Sequence, residues 1–212
     1  MDNISLYEDI KARTGGEIYL GVVGPVRTGK STFIRRFMDL CVIPSILDPN
    51  EKKRIIDELP QAGVGKTVMT TEPKFIPKTG IEIPLSNNVK AKFRLIDCVG
   101  YIVDSAQGVY EDDKERLVKT PWFDENIPFS KAAQTGTEKV IRDHSTIGIV
   151  MTTDGSIGEF TRDDYISAEE KAIMELKKIK KPFIVIVNST FPASDFTRKI
   201  ANEISEKYEV TA

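Results

Sequence analysis

The run Gly24-Pro25-Val26-Arg27-Thr28-Gly29-Lys30-Ser31 satisfies G-x-x-x-x-G-K-[ST] at each fixed position. That spacing has a definite chemistry. The two glycines let backbone N–H groups turn inward around phosphate oxygens. Lys30 is placed to reach β- and γ-phosphates, and the Ser31 hydroxyl to sit on Mg²⁺. Thr32 follows in the first helical turn, where free amides and the helix dipole favour an anion. Gly24, Pro25, Val26, Arg27, Thr28, Gly29, Lys30, Ser31 and Thr32 thus form the candidate phosphate-binding set. The bland alternative is a glycine turn with an accidental lysine.

A second motif, Asp97-Cys98-Val99-Gly100, is D-x-x-G at the end of an alternating apolar run. Alone the pattern is weak; after a phosphate loop and at a strand end it gains meaning. The Asp97 carboxylate would hold Mg²⁺ through a water, and the Gly100 amide would face the γ-phosphate. A plain strand-terminal turn is the alternative.

These residues need elements to hold them. Glu17 to Val23 reads as a buried strand and Ser31 to Leu40 as a helix, which gives strand, glycine loop and helix N-terminus in order. Residues 1–16 read as an N-terminal helix, Ser5 to Arg13, closed by Gly15-Gly16. Residues 44–62 are a polar insertion with a helix from Asn50 to Leu59, and 63–73 a glycine- and threonine-rich, switch-like loop. Extended pieces fall at Lys74 to Pro77 and Ile81 to Leu85, Asn87-Asn88 turn the chain, and Lys90 to Ile96 reads as a strand. Residues 97–136 read as a polar, helix-poor, second switch-like stretch, in which Glu111 to Lys119 is most simply a solvated helix. Trp122 and Phe123 are expected against the sheet edge, with an exposed contact patch as the alternative. Thr146 to Met151 and Phe183 to Val187 read as buried parallel strands. Ser167 to Lys180 is helical through Ala168, Ile173, Met174 and Leu176, and Phe196 to Tyr208 gives a last helix. The alternation predicts an α/β fold with a mainly parallel sheet and helices on both faces, and the resemblance of the two motifs to those of P-loop GTPases implies the three-layer P-loop NTPase, GTPase-like form of it as one domain over 1–212.

Composition narrows the class. Thirty basic residues against 32 acidic ones leave a net charge of −2, which argues against a nucleic-acid surface. One histidine, His144, and two cysteines, Cys41 and Cys98, do not make a zinc site at any familiar spacing. His144 reads as a loop or helix-end residue. The lysines Lys177, Lys178, Lys180 and Lys181 suit a helix C-terminus without a phosphate partner. Apolar runs of strand length predict no transmembrane span, and the cysteine usage without a leader predicts a reducing, cytoplasmic setting.

The phosphate loop and D-x-x-G, with the threonines between them, resemble the translation-factor-related class of P-loop GTPases. The resemblance implies that a threonine of the first switch coordinates Mg²⁺ and senses the γ-phosphate; Thr70 and Thr71 are the adjacent candidates, with Thr67 behind them. That class closes a late strand with N/T-K-x-D, whose aspartate accepts from guanine. Here the strand ends Asn188-Ser189-Thr190-Phe191. Asn188 fits, Ser189 replaces the lysine and Phe191 the aspartate. Losing that carboxylate removes about 2 kcal/mol or more of guanine discrimination, so ATP is the expected nucleotide and Asn188 and Ser189 the expected neighbours of its base. Asp195 is a nearby carboxylate through which guanine binding could still be rescued. Tyr101 occupies the place of the water-orienting glutamine, which implies slow hydrolysis. The string R-T-G-K-S is similar to the guanylate-binding and atlastin GTPases, where the matching arginine is a finger supplied in cis; Arg27 is either such a finger or a surface arginine.

Taken together, the chain resembles the stage IV sporulation protein A family, ATP-hydrolysing morphogenetic proteins of endospore-forming bacteria. The resemblance implies Mg²⁺-dependent ATP hydrolysis with Lys30, Arg27, Thr70, Thr71, Asp97 and Gly100 in catalytic roles and Ser31, Thr70, Thr71 and Asp97 around the metal. It further implies self-assembly into the basement layer of the spore coat, on the outer forespore surface within the mother cell. The implied partners are a small amphipathic membrane-anchoring peptide and other coat proteins, and further domains are expected after this one. A conventional GTP-dependent switch and a non-hydrolysing nucleotide-binding scaffold are the alternatives.

Overall fold

The computed structural model describes residues 15–60, 72–86, 89–103, 106, 109–111 and 114–212. The expected N-terminal helix, the threonines Thr67, Thr70 and Thr71 with most of the first switch, and the Asn87-Asn88 turn lie outside the described residues.

β1 (Glu17–Val23) leads through the glycine loop into α1 (Lys30–Phe37), which runs on as a π turn over Met38–Val42. α2 (Pro49–Glu58) starts where Asp48 accepts the Asn50 N–H at 3.0 Å and Pro49 takes the first helical position, where a missing N–H does no harm. β2 (Lys74–Ser86) is one irregular strand where the sequence suggests two pieces. It pairs antiparallel with β3 (Val89–Asp97), with a register shift between Ile76 and Ile81. Two short hairpins follow, β4 (Tyr110–Glu111) with β5 (Lys114–Glu115), then β6 (Leu117–Thr120) with β7 (Phe123–Pro128). α3 (Phe129–Lys139), β8 (Ile147–Thr153), α4 (Arg162–Lys178), β9 (Phe183–Asn188) and α5 (Asp195–Tyr208) complete the chain.

The central sheet has the order β2-β3-β1-β8-β9. β3, β1, β8 and β9 run parallel, and β2 is the antiparallel edge. Side chains alternate between two cores. Val22, Leu95, Ile149 and Met151 face α1 and α2 with Ile34, Met38 and Ile55. Their neighbours Val23, Ile96 and Val150 face α3, α4 and α5 with Phe129, Ile173 and Ile200. A sheet covered on both faces needs such continuous apolar strands, which is why β1 and β8 are so apolar.

The structure corrects the reading of the middle of the chain. The described residues of Glu111 to Lys119 are not a solvated helix but lie in the strands β4, β5 and β6 with Arg116 between the last two, and 97–136 is not helix-poor, since α3 begins at Phe129. The α3 face that is buried consists of Phe129, Ala132, Ala133, Gly136 and Thr137. Small residues contribute little to an apolar-periodicity count, so the helix does not announce itself. Trp122 and Phe123 are half-buried against the lysines of α3: Lys139 lies 5.9 Å from the Trp122 ring centre and Lys131 5.3 Å from that of Phe123. Met174 is exposed although Ala168, Ile173 and Leu176 are buried, and Ile184 of the edge strand β9 is 43% exposed rather than buried.

Candidate functional site

Gly29 caps α1 in the left-handed region, φ 88°, and the first helical bond is Phe33 N–H to Gly29 O at 2.8 Å. The amides of Gly29, Lys30, Ser31 and Thr32 therefore have no acceptor inside the helix. No side chain caps this end and no acidic residue lies in its first turn, so nothing within the helix itself compensates the positive end of its dipole. A side chain at 29 would also collide with Asn188, whose Nδ2 lies 2.5 Å from where a Cβ would be.

Inside the loop the Pro25 carbonyl accepts two donors, Thr28 Oγ1 at 3.0 Å and Lys30 Nζ at 2.5 Å. Lys30 is buried, and burial holds its pKa below the usual lysine value, opposed by the Asp97 carboxylate. An ammonium kept from water with a carbonyl partner is poised for a multiply charged anion. Val26 is buried in the core and its N–H is already bonded to Tyr101 O at 2.9 Å.

Asp97 ends β3, directly opposite Val22 of β1. Ser31 Oγ donates to its Oδ2 at 2.7 Å, while its buried Oδ1 has no hydrogen-bond partner among the described residues. Burial raises the Asp97 pKa, opposed by the Ser31 hydrogen bond and the Lys30 charge. A hydroxyl, a carboxylate with an open oxygen and a buried lysine meet at the N-terminus of α1. Mg²⁺ takes one or two carboxylate or hydroxyl oxygens and completes its shell with water and phosphate; Ser31 and Asp97 fit it.

Gly100 has φ 94°, and a Cβ there would lie 2.6 Å from Lys30 Nζ. The next residue is the least expected from sequence. Tyr101 N–H donates to Gly24 O at 3.0 Å, and Tyr101 O accepts from Val26 N–H, so the D-x-x-G segment is paired in parallel onto the phosphate loop. Its ring is buried in the core with α3 and α4, and burial drives the phenol pKa upward.

Arg27 adopts φ 65°, a left-handed conformation that is unfavourable for a non-glycine residue by about 1–2 kcal/mol. It is half-buried, and its Nη2 has no partner among the described residues. Its charge acts on the buried Tyr165 of α4, whose hydroxyl also lacks a partner there.

On the base side, Asn188 Nδ2 donates to Thr28 O at 3.1 Å and ties β9 to the phosphate loop. Ser189 Oγ accepts the Phe191 N–H at 2.8 Å and contacts Thr197 Oγ1 at 3.1 Å. Phe191 is 68% exposed where the guanine-binding carboxylate of the GTPase pattern would stand. Asp195 opens α5 and is exposed.

Sequence reasoning passed over Asp154, a buried carboxylate one residue beyond β8 that gathers Ser156 and Thr197 around itself. The available signal was Thr153-Asp154-Gly155-Ser156, a turn-forming run at the C-terminal edge of a parallel strand, where ligands of open α/β sheets bind.

A family model described as stage IV sporulation protein A, ATPase domain, matches residues 1–212. Stage IV sporulation protein A of Clostridioides difficile (strain 630) is 56% identical over 208 residues, 98% of this chain and 42% of that protein. The Bacillus subtilis (strain 168) protein of that name is 51% identical over 210 residues, 99% of this chain and 43% of its own length. The Bacillus anthracis protein is 50% identical over 210 residues. The chain spans less than half the length of these curated relatives.

Proposed function

Because the chain belongs to the stage IV sporulation protein A ATPase-domain family, we propose that it binds ATP with Mg²⁺ on the loop Gly24–Ser31 and hydrolyses it slowly. The observation that carries this reading is the meeting of Ser31 and the half-satisfied Asp97 beside buried Lys30 at an uncapped helix start. Free amides and Lys30 would bind the phosphates, and Ser31 and Asp97 would hold the metal, whose charge would offset that developing on the phosphoryl oxygens. Thr70 and Thr71, outside the described residues, are the candidates that would complete the metal's ligands from the first switch. Gly100 presents its amide, and Arg27 supplies positive charge in cis. Tyr101 turns its side chain into the core, so no carboxamide orients the attacking water, which favours a low basal rate.

The nucleotide cycle drives self-assembly into the spore-coat basement layer at the outer forespore surface, in the mother cell. The chain is a single NTPase domain of a longer protein, recruited by a small amphipathic membrane-anchoring peptide and joined by other coat proteins. The absence of a carboxylate at Phe191 favours adenine over guanine.

Phosphate release from ATP and from GTP, over a range of protein concentration and beside Lys30→Ala, tests this. Lys30-dependent release that prefers ATP and rises in specific activity with concentration supports a self-activated ATPase. A preference for GTP returns the chain to the conventional switch. No Lys30-dependent release from either nucleotide leaves a scaffold.

A further inference from the structure

The Asp154 carboxylate lies at the C-terminal end of β8, between the phosphate loop and the loop that follows β9, and four hydroxyls are ordered by it. Ser156 donates to Oδ1 through both its N–H, at 2.9 Å, and its Oγ, at 2.6 Å. Thr197 Oγ1, from the first turn of α5, lies 2.8 Å from Oδ2 and 3.1 Å from the Phe191 carbonyl oxygen, and its one proton goes to the nearer, charged acceptor. Each hydroxyl has one proton. Once Ser156 and Thr197 have given theirs to an acceptor-only carboxylate, their lone pairs face away from it. The Ser156 oxygen then accepts the Thr190 N–H at 2.8 Å. The Thr197 oxygen is left as an acceptor for Ser189 Oγ at 3.1 Å and Ser194 Oγ at 2.9 Å. With its proton so committed, Ser189 accepts the Phe191 N–H at 2.8 Å.

The polarity of the network thus runs one way, from loop amides through serine and threonine hydroxyls to one buried charge. The loop it holds, Asn188 to Phe191, carries the Asn188 amide that bonds Thr28 in the phosphate loop. An amide at 154 would reverse that order, since its NH₂ would meet a hydroxyl proton.

We infer that Asp154 is the positioning residue for the nucleoside half of the ligand: through Ser156, Thr197 and Ser189 it fixes the loop Asn188–Phe191 against which the base lies. The inference deepens the nucleotide-site reading above and rests on it. It separates two parts of one site. The phosphate half is held by Gly24–Ser31 without Asp154, and the base half depends on a carboxylate that never meets the ligand.

Affinities for ATP and for base-free inorganic tripolyphosphate, each with Mg²⁺, are measured on the chain and on Asp154→Asn and Thr197→Val. The second variant keeps its shape and loses only the hydroxyl, so a failure of Asp154→Asn to fold does not end the test. ATP affinity is expected to fall by about tenfold in a folded variant, with tripolyphosphate affinity kept within about twofold. Turnover at saturating ATP should change much less than KM. Equal losses for both ligands would reduce Asp154 to general support of the fold, and no loss for either would remove it from the site; both overturn the inference while leaving the nucleotide reading intact. An unsubstituted chain that binds neither ligand overturns both.

Discussion

Tyr101 stands where a GTPase-like chain places its water-orienting glutamine, but its ring is packed in the core and its hydroxyl has no partner among the described residues. Tyr101→Phe should therefore leave stability within about 0.5 kcal/mol in urea denaturation. Tyr101→Gln would bury an amide among apolar neighbours, and is expected to destabilise by about 2 kcal/mol or more without raising phosphate release. Gly100 is equally exacting. Gly100→Ala sets a methyl at a positive φ against the Gly24 carbonyl oxygen, the acceptor of the Tyr101 N–H, as well as against Lys30 Nζ, and should abolish nucleotide binding by titration while lowering the denaturation midpoint of the folded chain. The acid limb of stability has a residue-level cause as well. Burial alone would raise the Asp154 pKa, but hydrogen bonds from Ser156 and Thr197 outweigh it and lower the value from 3.8 to about 2. A depressed folded-state pKa stabilises fully above the unfolded value and less as pH falls through the folded one. Asp154 thus contributes about 2 kcal/mol that is lost on acidification from about pH 4 towards pH 2. Asp97, raised by burial, has the opposite sign. Urea midpoints of the chain and Asp154→Asn, compared near pH 5 and near pH 2.5, should converge on the acid side.

At the scale of the elements, α4 is fixed at both its start and its first buried turn. The Asp164 carboxylate accepts the Thr161 N–H at 2.8 Å while the Thr161 side chain accepts the Asp164 N–H, closing a capping box. Two turns on, Glu169 is 1% exposed and takes a two-pronged bond from Arg162 at 2.6 and 2.8 Å, with Thr152 of β8 donating at 2.6 Å. Arg162→Met would strand a buried carboxylate and should destabilise by about 3–5 kcal/mol, read from denaturant midpoints. Elements with a strong period, or with turn chemistry at both ends, were legible from sequence: β1, α1, α2, β3, β8, β9 and α5 lie within a few residues of expectation, whereas α4 begins at Arg162, five residues before the expected Ser167. The glycine loop and D-x-x-G were legible because their backbone demands fall on glycine, and Asn188 because it follows an apolar run. α3 was hidden by its small buried residues, and the hairpins of β4 to β7 by a mixed charge content that suits a helix equally well. The Tyr101 pairing and the Asp154 network were illegible for another reason: both join segments far apart in the chain, through backbone groups and hydroxyls that carry no periodicity. Lys181 is similar. Its ammonium is bonded to the carbonyls of Ile141, Arg142 and Ser145 at 2.6 to 2.7 Å, so it closes the end of a different helix from the one it follows.

Across the whole molecule, two cores share one sheet, and the site lies at the edge where β1, β3, β8 and β9 all end. Ligand binding to the folded state alone adds about 2.7 kcal/mol at a hundredfold excess over Kd. For a chain of this length that is a rise of roughly 5–10 °C in Tm. MgATP should produce that rise in thermal denaturation, and Lys30→Ala should remove it. Among the described residues no helix is long and apolar enough to cross a membrane.

The strand order also bears on synthesis. β1 carries the phosphate loop near the start of the chain, yet one of its two sheet neighbours is β8, pairing Leu20 with Ile147. The Asn188 bond to Thr28 spans 160 residues. Contacts so distant in sequence form late, both in refolding and as a chain leaves the ribosome. A nascent chain that has just passed Tyr101 already contains both phosphate motifs and the strands β1 and β3 that carry them, but still lacks β8, which pairs with β1, and β9, whose Asn188 ties down the phosphate loop. During translation this domain carries a legible nucleotide signature long before it has a nucleotide site.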